Sequence, residues 1–519
     1  MAKTYRFKTR PYRHQYEAIK KLLKNGYGGE LFLEPRTGKS KTCVDYGAIL
    51  ATAGKIDKIL IVCPARIMAV WVEQFAEHCP VTYHITVWDA KSRRTRVAGK
   101  TIATPPPAAN GYHQLNVVIT NYETFSTPGK RTRSGKRSRA SGRFKNREML
   151  RKWMKSTDRG TLMVLDESHR IAKPSGAAAT MIVSMHSDAD YRVIATGTPV
   201  TKAKKVHDLQ MQFKFTDPSR FADLATHDEF RNAFGRWIHD NGYPQWIGPK
   251  NQAVLQKRLH QSAVVVRREE CFDLPPRQTM IRRVPLVSSA SAYDQMAAEM
   301  VAKIIKAREE HTVEATIKLV QGLRLRQITG GVAKTDEDRL IRIGREKLDA
   351  LAEILEATAE HEEKLVVAAQ FRPDLSSIER LARREYGLRT FRLSGGVPLA
   401  QSARDIREFR EHDGAAVFVV QPQSGSEGID LSTAAHLVWY SLTPSYVKYT
   451  QMCDRIALSR TSTTFTYLLA ERTVDEVLYN TLQTDGDVAR AILDKPETLL
   501  RDQAQMDEVE RLLAREWDL

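Results

Sequence analysis

Short apolar runs of strand-forming residues recur along this chain and alternate with stretches of helical period. Leu31-Phe32-Leu33 leads into a helix-compatible segment, Cys43 to Ala53. Lys58 to Pro64 reads as a buried strand stopped by proline, with a helix over Val70 to Phe75. Val117 to Glu123 and Thr161 to Asp166 repeat the pattern, as does Tyr191 to Ala195. It resumes at Leu365 to Phe371, Thr390 to Gly396, Ala415 to Gln421 and His436 to Tyr440. Runs without polar alternation suit strands covered on both faces, and strands alternating with helices imply parallel, doubly wound sheets. The expected class is therefore α/β. Ahead of the first strand, Tyr16, Ile19, Leu22 and Leu23 mark one side of an amphipathic helix. At the other end, Leu499, Leu500, Met506, Val509, Leu512, Leu513 and Trp517 are spaced by acids and predict a helix that braces the last domain.

Length adds that one core does not suffice: 519 residues imply two or more domains. The net charge of +18 calls for a polyanionic partner, most often nucleic acid. Between Lys130 and Arg147 lie nine Lys/Arg and no acid, among Ser and Gly, which predicts a mobile loop leaving the first sheet. The five cysteines show no paired metal spacing and no disulfide framework, which fits a reducing compartment. With no apolar run of membrane-spanning length, the expectation is a cytoplasmic protein without a membrane partner, in a bacterium or in the host of a virus.

The candidate chemistry sits at the strand ends. Leu33-Glu34-Pro35-Arg36-Thr37-Gly38-Lys39-Ser40 joins a strand to a helix, as a phosphate-binding loop requires. Arg36, Thr37, Gly38, Lys39 and Ser40 would cradle the phosphates of ATP. Lys39 would neutralise the β- and γ-phosphates, and the Ser40 hydroxyl would hold magnesium. Alone, Gly38-Lys39-Ser40 also suits a surface turn. Asp166-Glu167, at the end of a buried strand, changes that: Asp166 would hold magnesium through water, and Glu167 would orient and deprotonate the attacking water. Together the two motifs point to a nucleoside-triphosphate hydrolase. Gln15, some twenty residues before the loop, could read the adenine edge. Thr120, Asn121 and Tyr122 end a strand in groups suited to phosphate contacts, and Thr196-Gly197-Thr198-Pro199 would lie beside the γ-phosphate.

In this order the motifs resemble those of Swi/Snf-type DNA-dependent ATPases, a branch of the superfamily two helicases and translocases. The resemblance runs from Arg10 to about Leu482. It includes Ile61 to Pro64, Val265-Val266-Arg267-Arg268 with Leu274-Pro275-Pro276, Leu323 to Gln327, and Lys347 to Leu351. It implies two RecA-like doubly wound parallel-sheet lobes with helical protrusions inserted. Lobe 1 would span residues 1–275 with a helical protrusion over about 202–261. A linker and second protrusion would cover 276–340, and lobe 2 would run over 341–519 with the C-terminal helix. Ser424-Gly425-Ser426-Glu427-Gly428-Ile429-Asp430 is similar to the motif that touches both DNA and nucleotide. The resemblance assigns Gly428, Asp430 and Gln451 to ATP. It assigns Gln370, Ser424 and Gly425 to DNA, where the strand-end groups of Thr120 and Tyr122 also suit phosphates. The cations Lys130, Arg131, Arg133, Lys136, Arg137 and Arg139 read either as a solvated insertion or as a flexible clamp on the DNA backbone.

Two departures stand out. The family reads Gln, Arg four residues later and a second Arg three beyond. Here Gln451 and Arg455 are followed by Leu458, with the nearest arginine at Arg460. On a continuous helix a two-residue shift turns a side chain by about 200°. Either the helix ends before Arg460 and that residue reaches back, or Arg455 acts alone. Arg36 stands where the family has glycine, behind a proline, and narrows the phosphate loop. Both bear on the rate of hydrolysis rather than on nucleotide binding. The reading is a monomeric, ATP- and magnesium-dependent motor on double-stranded or branched DNA, open to assembly with nuclease or recombination proteins. The rival is a nucleotide-gated DNA-binding or strand-annealing protein with little turnover.

Overall fold

The computed structural model describes residues 5–89, 94–97, 100–102, 115–125, 143–156, 158–240, 243–272, 275–309, 322–334, 339–425, 429–456 and 462–493. The chain divides into two compact units, Met1–Phe272 with Asp485–Leu519, and Asp273–Thr484.

The first unit is built on nine strands: β1 Gly28–Leu33, β2 Ile56–Cys63, β3 Tyr83–Asp89, β4 Arg94–Val97, β5 Lys100–Ile102, β6 Leu115–Asn121, β7 Gly160–Asp166, β8 Tyr191–Ala195 and, past a separate pair, β11 Val264–Val266. Their order is β11-β1-β8-β7-β2-β6-β3-β4-β5. All pair in parallel except β4 and β5, which extend one edge antiparallel. β1, β2, β6 and β7 are buried almost throughout, as their unbroken apolar runs require. Around the sheet lie α1 Arg13–Asn25, α2 Lys39–Thr52, α3 Met68–His78, α4 Arg143–Met154, α5 Ala177–Val183, α6 Asp208–Thr216, α7 His227–Phe234 and α8 Gln252–Ser262. Leu31 is in register with Ala195, and Ala195 with Asp166. The chain therefore leaves β1, β8 and β7 at one common edge, the place where parallel sheets bind ligands.

Two details of this unit differ from expectation. The protrusion over 202–261 is not wholly helical: between α7 and α8 it carries an antiparallel hairpin, β9 Gly235–Asp240 with β10 Tyr243–Pro249. The linking dipeptide Asn241-Gly242, which favours two-residue hairpins, was the overlooked signal. The basic segment expected as a loop to Arg147 ends sooner, because α4 begins at Arg143. Asn146 Nδ2 donates to the Thr124 carbonyl and Arg147 to Ser184 Oγ, which ties that helix down.

The second unit holds six parallel strands in the order β12-β19-β18-β15-β17-β16. They are β12 Arg277–Val284, β15 Lys364–Ala368, β16 Arg389–Leu393, β17 Ala416–Val420, β18 His436–Trp439 and β19 Thr463–Ala470, and a short pair β13 Val332–Lys334 and β14 Leu340–Arg342 lies apart. The helices are α9 Ala290–Glu309, α10 over 322–328, α11 Glu346–Glu360, α12 Arg372–Glu385, α13 Leu399–Glu411, α14 Pro422–Gly425, α15 Tyr446–Cys453 and α16 Val474–Leu493. β12 starts the sheet earlier than the expected boundary at 341, since it pairs over its full length with β19. A buried ion pair fixes the second core: Lys347 Nζ contacts Asp475 Oδ2 and donates to the Tyr440 carbonyl at 3.1 Å. From Asp485 onward α16 belongs with the first unit, where Asp485 accepts from Ala203 N at 2.6 Å. The C-terminal stretch from Pro496 lies outside the described residues.

Candidate nucleotide site

The loop after β1 is shaped by two unusual backbone positions. Arg36 has φ 67° and Gly38 φ 87°, both left-handed. Glycine is needed at 38 for a further reason, because a Cβ there would sit 1.9 Å from Gln15 Nε2. α2 starts at Lys39 with Gly38 as its N-cap and no side-chain cap. Its first N–H groups therefore face the loop, the arrangement that favours an anion. Lys39 Nζ spans the loop to the Leu33 carbonyl at 2.8 Å.

Gln15 sits against this loop. It occupies the N3 position of α1, where its Oε1 accepts from Tyr12 N at 2.9 Å and its Nε2 donates to the Thr37 carbonyl at 3.2 Å. The amide caps a helix and braces the phosphate loop. His14 shares the task, with Nε2 2.7 Å from the same carbonyl, and stacks on Tyr12. On the other flank Glu34 N donates to the Val266 carbonyl, and Glu34 Oε2 accepts from Arg268 N at 3.0 Å.

At the end of β7 the two carboxylates diverge. Asp166 is buried: Oδ2 accepts from Trp71 Nε1 at 2.9 Å and Oδ1 from Glu167 N at 3.0 Å. Burial first, then the neighbouring Glu167 charge, raise its pKa to about 6, against the opposing pull of Lys39. Glu167 itself has φ 55°, a left-handed backbone. Its Oε2 lies 3.2 Å from His169 Nδ1 and accepts from Thr196 Oγ1 at 3.4 Å. Thr196 Oγ1 in turn accepts from Thr198 N. Ser168 Oγ donates to Gln212 Oε1 at 2.7 Å, and Gln212 Nε2 donates to the Pro199 carbonyl at 2.8 Å. Gly197 closes the circle, because a Cβ there would come 2.8 Å from Pro35 Cδ. The structure thus brings Thr37, Gly38, Lys39, Asp166, Glu167 and Thr196 to one edge of one sheet.

Other expected contacts fall elsewhere. Thr120 and Tyr122 are interior: Thr120 Oγ1 donates to the Trp88 carbonyl at 3.0 Å, and Tyr122 Oη donates to the Asp166 carbonyl at 2.7 Å. Their hydroxyls satisfy buried carbonyls, and neither is available to DNA. Tyr122 supports the catalytic strand end instead. Ser424 and Gly425 are buried in α14, just past β17, where a Cβ on Gly425 would meet the Val420 side chain. Gln370 is half-buried, its N donating to Ser441 Oγ at 2.8 Å and its carbonyl accepting from Gln421. Asp430 Oδ1 accepts from Ser432 N, and Gln451 is buried at the end of α15. Arg455 lies beyond that helix, with Nε on the Gln451 carbonyl and a guanidinium N–H on the Ile429 carbonyl, at 3.0 and 3.1 Å. Gly428, Arg460, Lys130, Arg131, Arg133, Lys136, Arg137 and Arg139 lie outside the described residues. Trp71, Gln212 and Arg268 went unassigned in the sequence; only Arg268, inside a recognised motif, carried a signal.

The SNF2-related domain matches residues 14–330, and the helicase conserved C-terminal domain matches residues 346–458. The chain belongs to the SNF2-related family. Among curated proteins it is 22% identical over 364 residues to the mouse DNA annealing helicase and endonuclease ZRANB3, covering 69% of this chain and 32% of that protein. It is 21% identical over 457 residues to the Arabidopsis thaliana ATP-dependent DNA helicase DDM1, covering 82% and 54%. The chain thus spans between a third and about half the length of these relatives. The Sulfolobus solfataricus SWI2/SNF2 ATPase core in complex with dsDNA aligns at 16% identity and TM-score 0.39, over 95% of this chain and 97% of that one.

Proposed function

We propose that this SNF2-related chain is an ATP- and magnesium-dependent motor that tracks along double-stranded DNA. The observation that carries the reading is the meeting of Lys39, Asp166, Glu167 and Thr196 at the ends of adjacent parallel strands, next to an uncapped helix N-terminus. Lys39 and the first N–H groups of α2 bind the phosphates. Glu167, oriented by His169 and Thr196, takes the proton of the attacking water. Ser40 and Asp166 suit magnesium as hard oxygen donors. The proton affinity of Asp166, raised beside a second carboxylate, is the environment in which a divalent ion is favoured. When bound, the ion would neutralise phosphate charge. The positive charge of the chain and the names of its relatives support DNA as the track.

Arg36, held at φ 67° in the phosphate loop, favours a second reading, a nucleotide-gated DNA-binding or strand-annealing protein with little turnover. Phosphate release with and without duplex DNA separates them. The motor reading expects stimulated hydrolysis that is lost in Lys39→Ala. Glu167→Gln should still bind ATP but turn over at less than about a tenth of the wild-type rate, a general base being worth 10²–10⁴-fold. Wild-type protein that binds both ligands without hydrolysis would establish the second reading.

A further inference from the structure

The β9–β10 hairpin stands apart from both large sheets. Two-stranded ribbons are marginal alone, so this one needs a root. α7 and α8 supply it. Lys250 N donates to the Phe234 carbonyl at 3.0 Å and Asn251 Nδ2 to the Ala233 carbonyl at 2.9 Å. The Arg231 guanidinium lies 5.0 Å from the centre of the Trp237 ring, and Trp237 pairs across the ribbon with Trp246. Beneath, Phe221, Phe230 and Phe234 pack edge to face.

Among the described residues the opposite face has no such covering. Ile238 is 46% exposed and Ile247 57%. Ile238 shares that face with exposed Arg236 by strand alternation, and Ile247 is the bulged residue between Trp246 and Gly248, next to Arg236 in the ladder. β10 also runs beside the turn Ala203–Lys205, which adds exposed Lys204 and half-buried Lys205. Aliphatic groups and cations on one ribbon match a branched nucleic acid. Cations hold phosphates without regard to sequence, and aliphatic side chains pack on base faces where stacking ends.

We propose that this ribbon is a wedge for branched DNA. Ile238 and Ile247 pack against the last base pair at a fork between duplex and single strands, and Arg236 and Lys204 hold the flanking phosphates. The turn that supports it follows Thr196–Pro199 directly. Thr201 N donates to Asp208 Oδ2 at 3.1 Å, and Gln212 of the same helix holds the Pro199 carbonyl and Ser168. The wedge is therefore braced by the segment that borders Glu167.

The inference rests on the DNA-motor reading, and the experiment separates the two. Anisotropy binding compares a forked duplex with a blunt duplex of the same length, with 2-aminopurine at the last pair of the fork. Wild-type protein should prefer the fork and brighten the 2-aminopurine. Ile238→Ser with Ile247→Ser should lower the fork-to-duplex affinity ratio by about tenfold, the equivalent of 1.4 kcal/mol, and abolish the brightening. Ile238→Leu with Ile247→Leu should restore both, which excludes a folding defect. A wild type that binds blunt duplex and hydrolyses ATP, with a ratio unmoved in the serine variant, would overturn the wedge alone and leave the face to a protein partner. A wild type that binds no DNA would overturn both readings.

Discussion

Arg36 and Glu167 are non-glycine residues at φ 67° and 55°, one on each side of the candidate site. A left-handed residue with a Cβ costs about 1 kcal/mol, and such costs collect where function demands a shape. At Glu167 the conformation accompanies a carboxylate that reaches His169 and Thr196 while its charge still acts on Asp166. At Arg36 no comparable gain is evident, so relief there is informative. Arg36→Gly removes both side chain and strain, whereas Arg36→Ala removes only the side chain. If the side chain crowds the phosphates, both variants should raise steady-state hydrolysis by less than about tenfold, a barrier change under 1.4 kcal/mol. A gain confined to glycine would place the obstacle in the backbone. Asp166 supplies a pH test. Its pKa rises from an ordinary 3.8 to about 6, so the ionised carboxylate destabilises the fold at pH 7, and that penalty vanishes as pH falls below the unfolded value. Magnesium-dependent ATP binding, measured by titration calorimetry, should therefore weaken as pH falls through about 6. In Glu167→Gln the midpoint should move lower, because one of the two groups raising the pKa is gone. An unmoved midpoint would mean that burial alone sets it.

Elements whose partners are local or periodic were the legible ones. β1, β2, β6, β7 and β8 announced themselves as apolar runs, and the loop before α2 by its Gly-Lys-Ser. The expected reach of Thr120 and Tyr122 to DNA failed for a reason the sequence hides: a hydroxyl at a strand end serves a buried carbonyl as readily as a phosphate. Trp71 and Gln212 approach the site only through tertiary packing, so neither spacing nor composition marks them. The arginine problem also changes at this scale. α15 ends at Cys453, before Arg455, so helical periodicity does not carry as far as residue 460. Arg455 is engaged with two backbone carbonyls and joins the end of α15 to Ile429. Arg455→Ala should accordingly lower stability by about 1.5 kcal/mol, the value of a charged hydrogen bond, read as a fall in Tm. Arg460→Ala should leave Tm unchanged and slow DNA-stimulated hydrolysis at least about a hundredfold, toward the low end for an arginine finger. A severe rate loss in Arg455→Ala without a change in Tm would reverse the two roles.

Over the whole molecule the excess of 18 positive charges acts as a field, and its density is uneven. Lys130, Arg131, Arg133, Lys136, Arg137 and Arg139 fall within ten residues with no acid among them. The next cations belong to α4, where Arg147 is already bonded to Ser184. Six cations, rather than all nine between 130 and 147, are then the group to test. No base-reading side chain accompanies them, so their contacts with DNA should be to phosphates. If about four neutralise phosphates together, each adds about 0.9 to the slope of log K against log salt. Replacing residues 130–142 by a neutral Gly/Ser linker should flatten that slope by about three to four units, measured by anisotropy on a blunt duplex between low and physiological salt. The maximal hydrolysis rate at saturating DNA should hold, because among the described residues Lys39, Asp166 and Glu167 are supported by β1, β7, α2 and α3. A slope that does not change would make the segment a passenger on the DNA-binding surface. A maximal rate that collapses would make it part of the motor, with the charge acting on closure rather than on affinity.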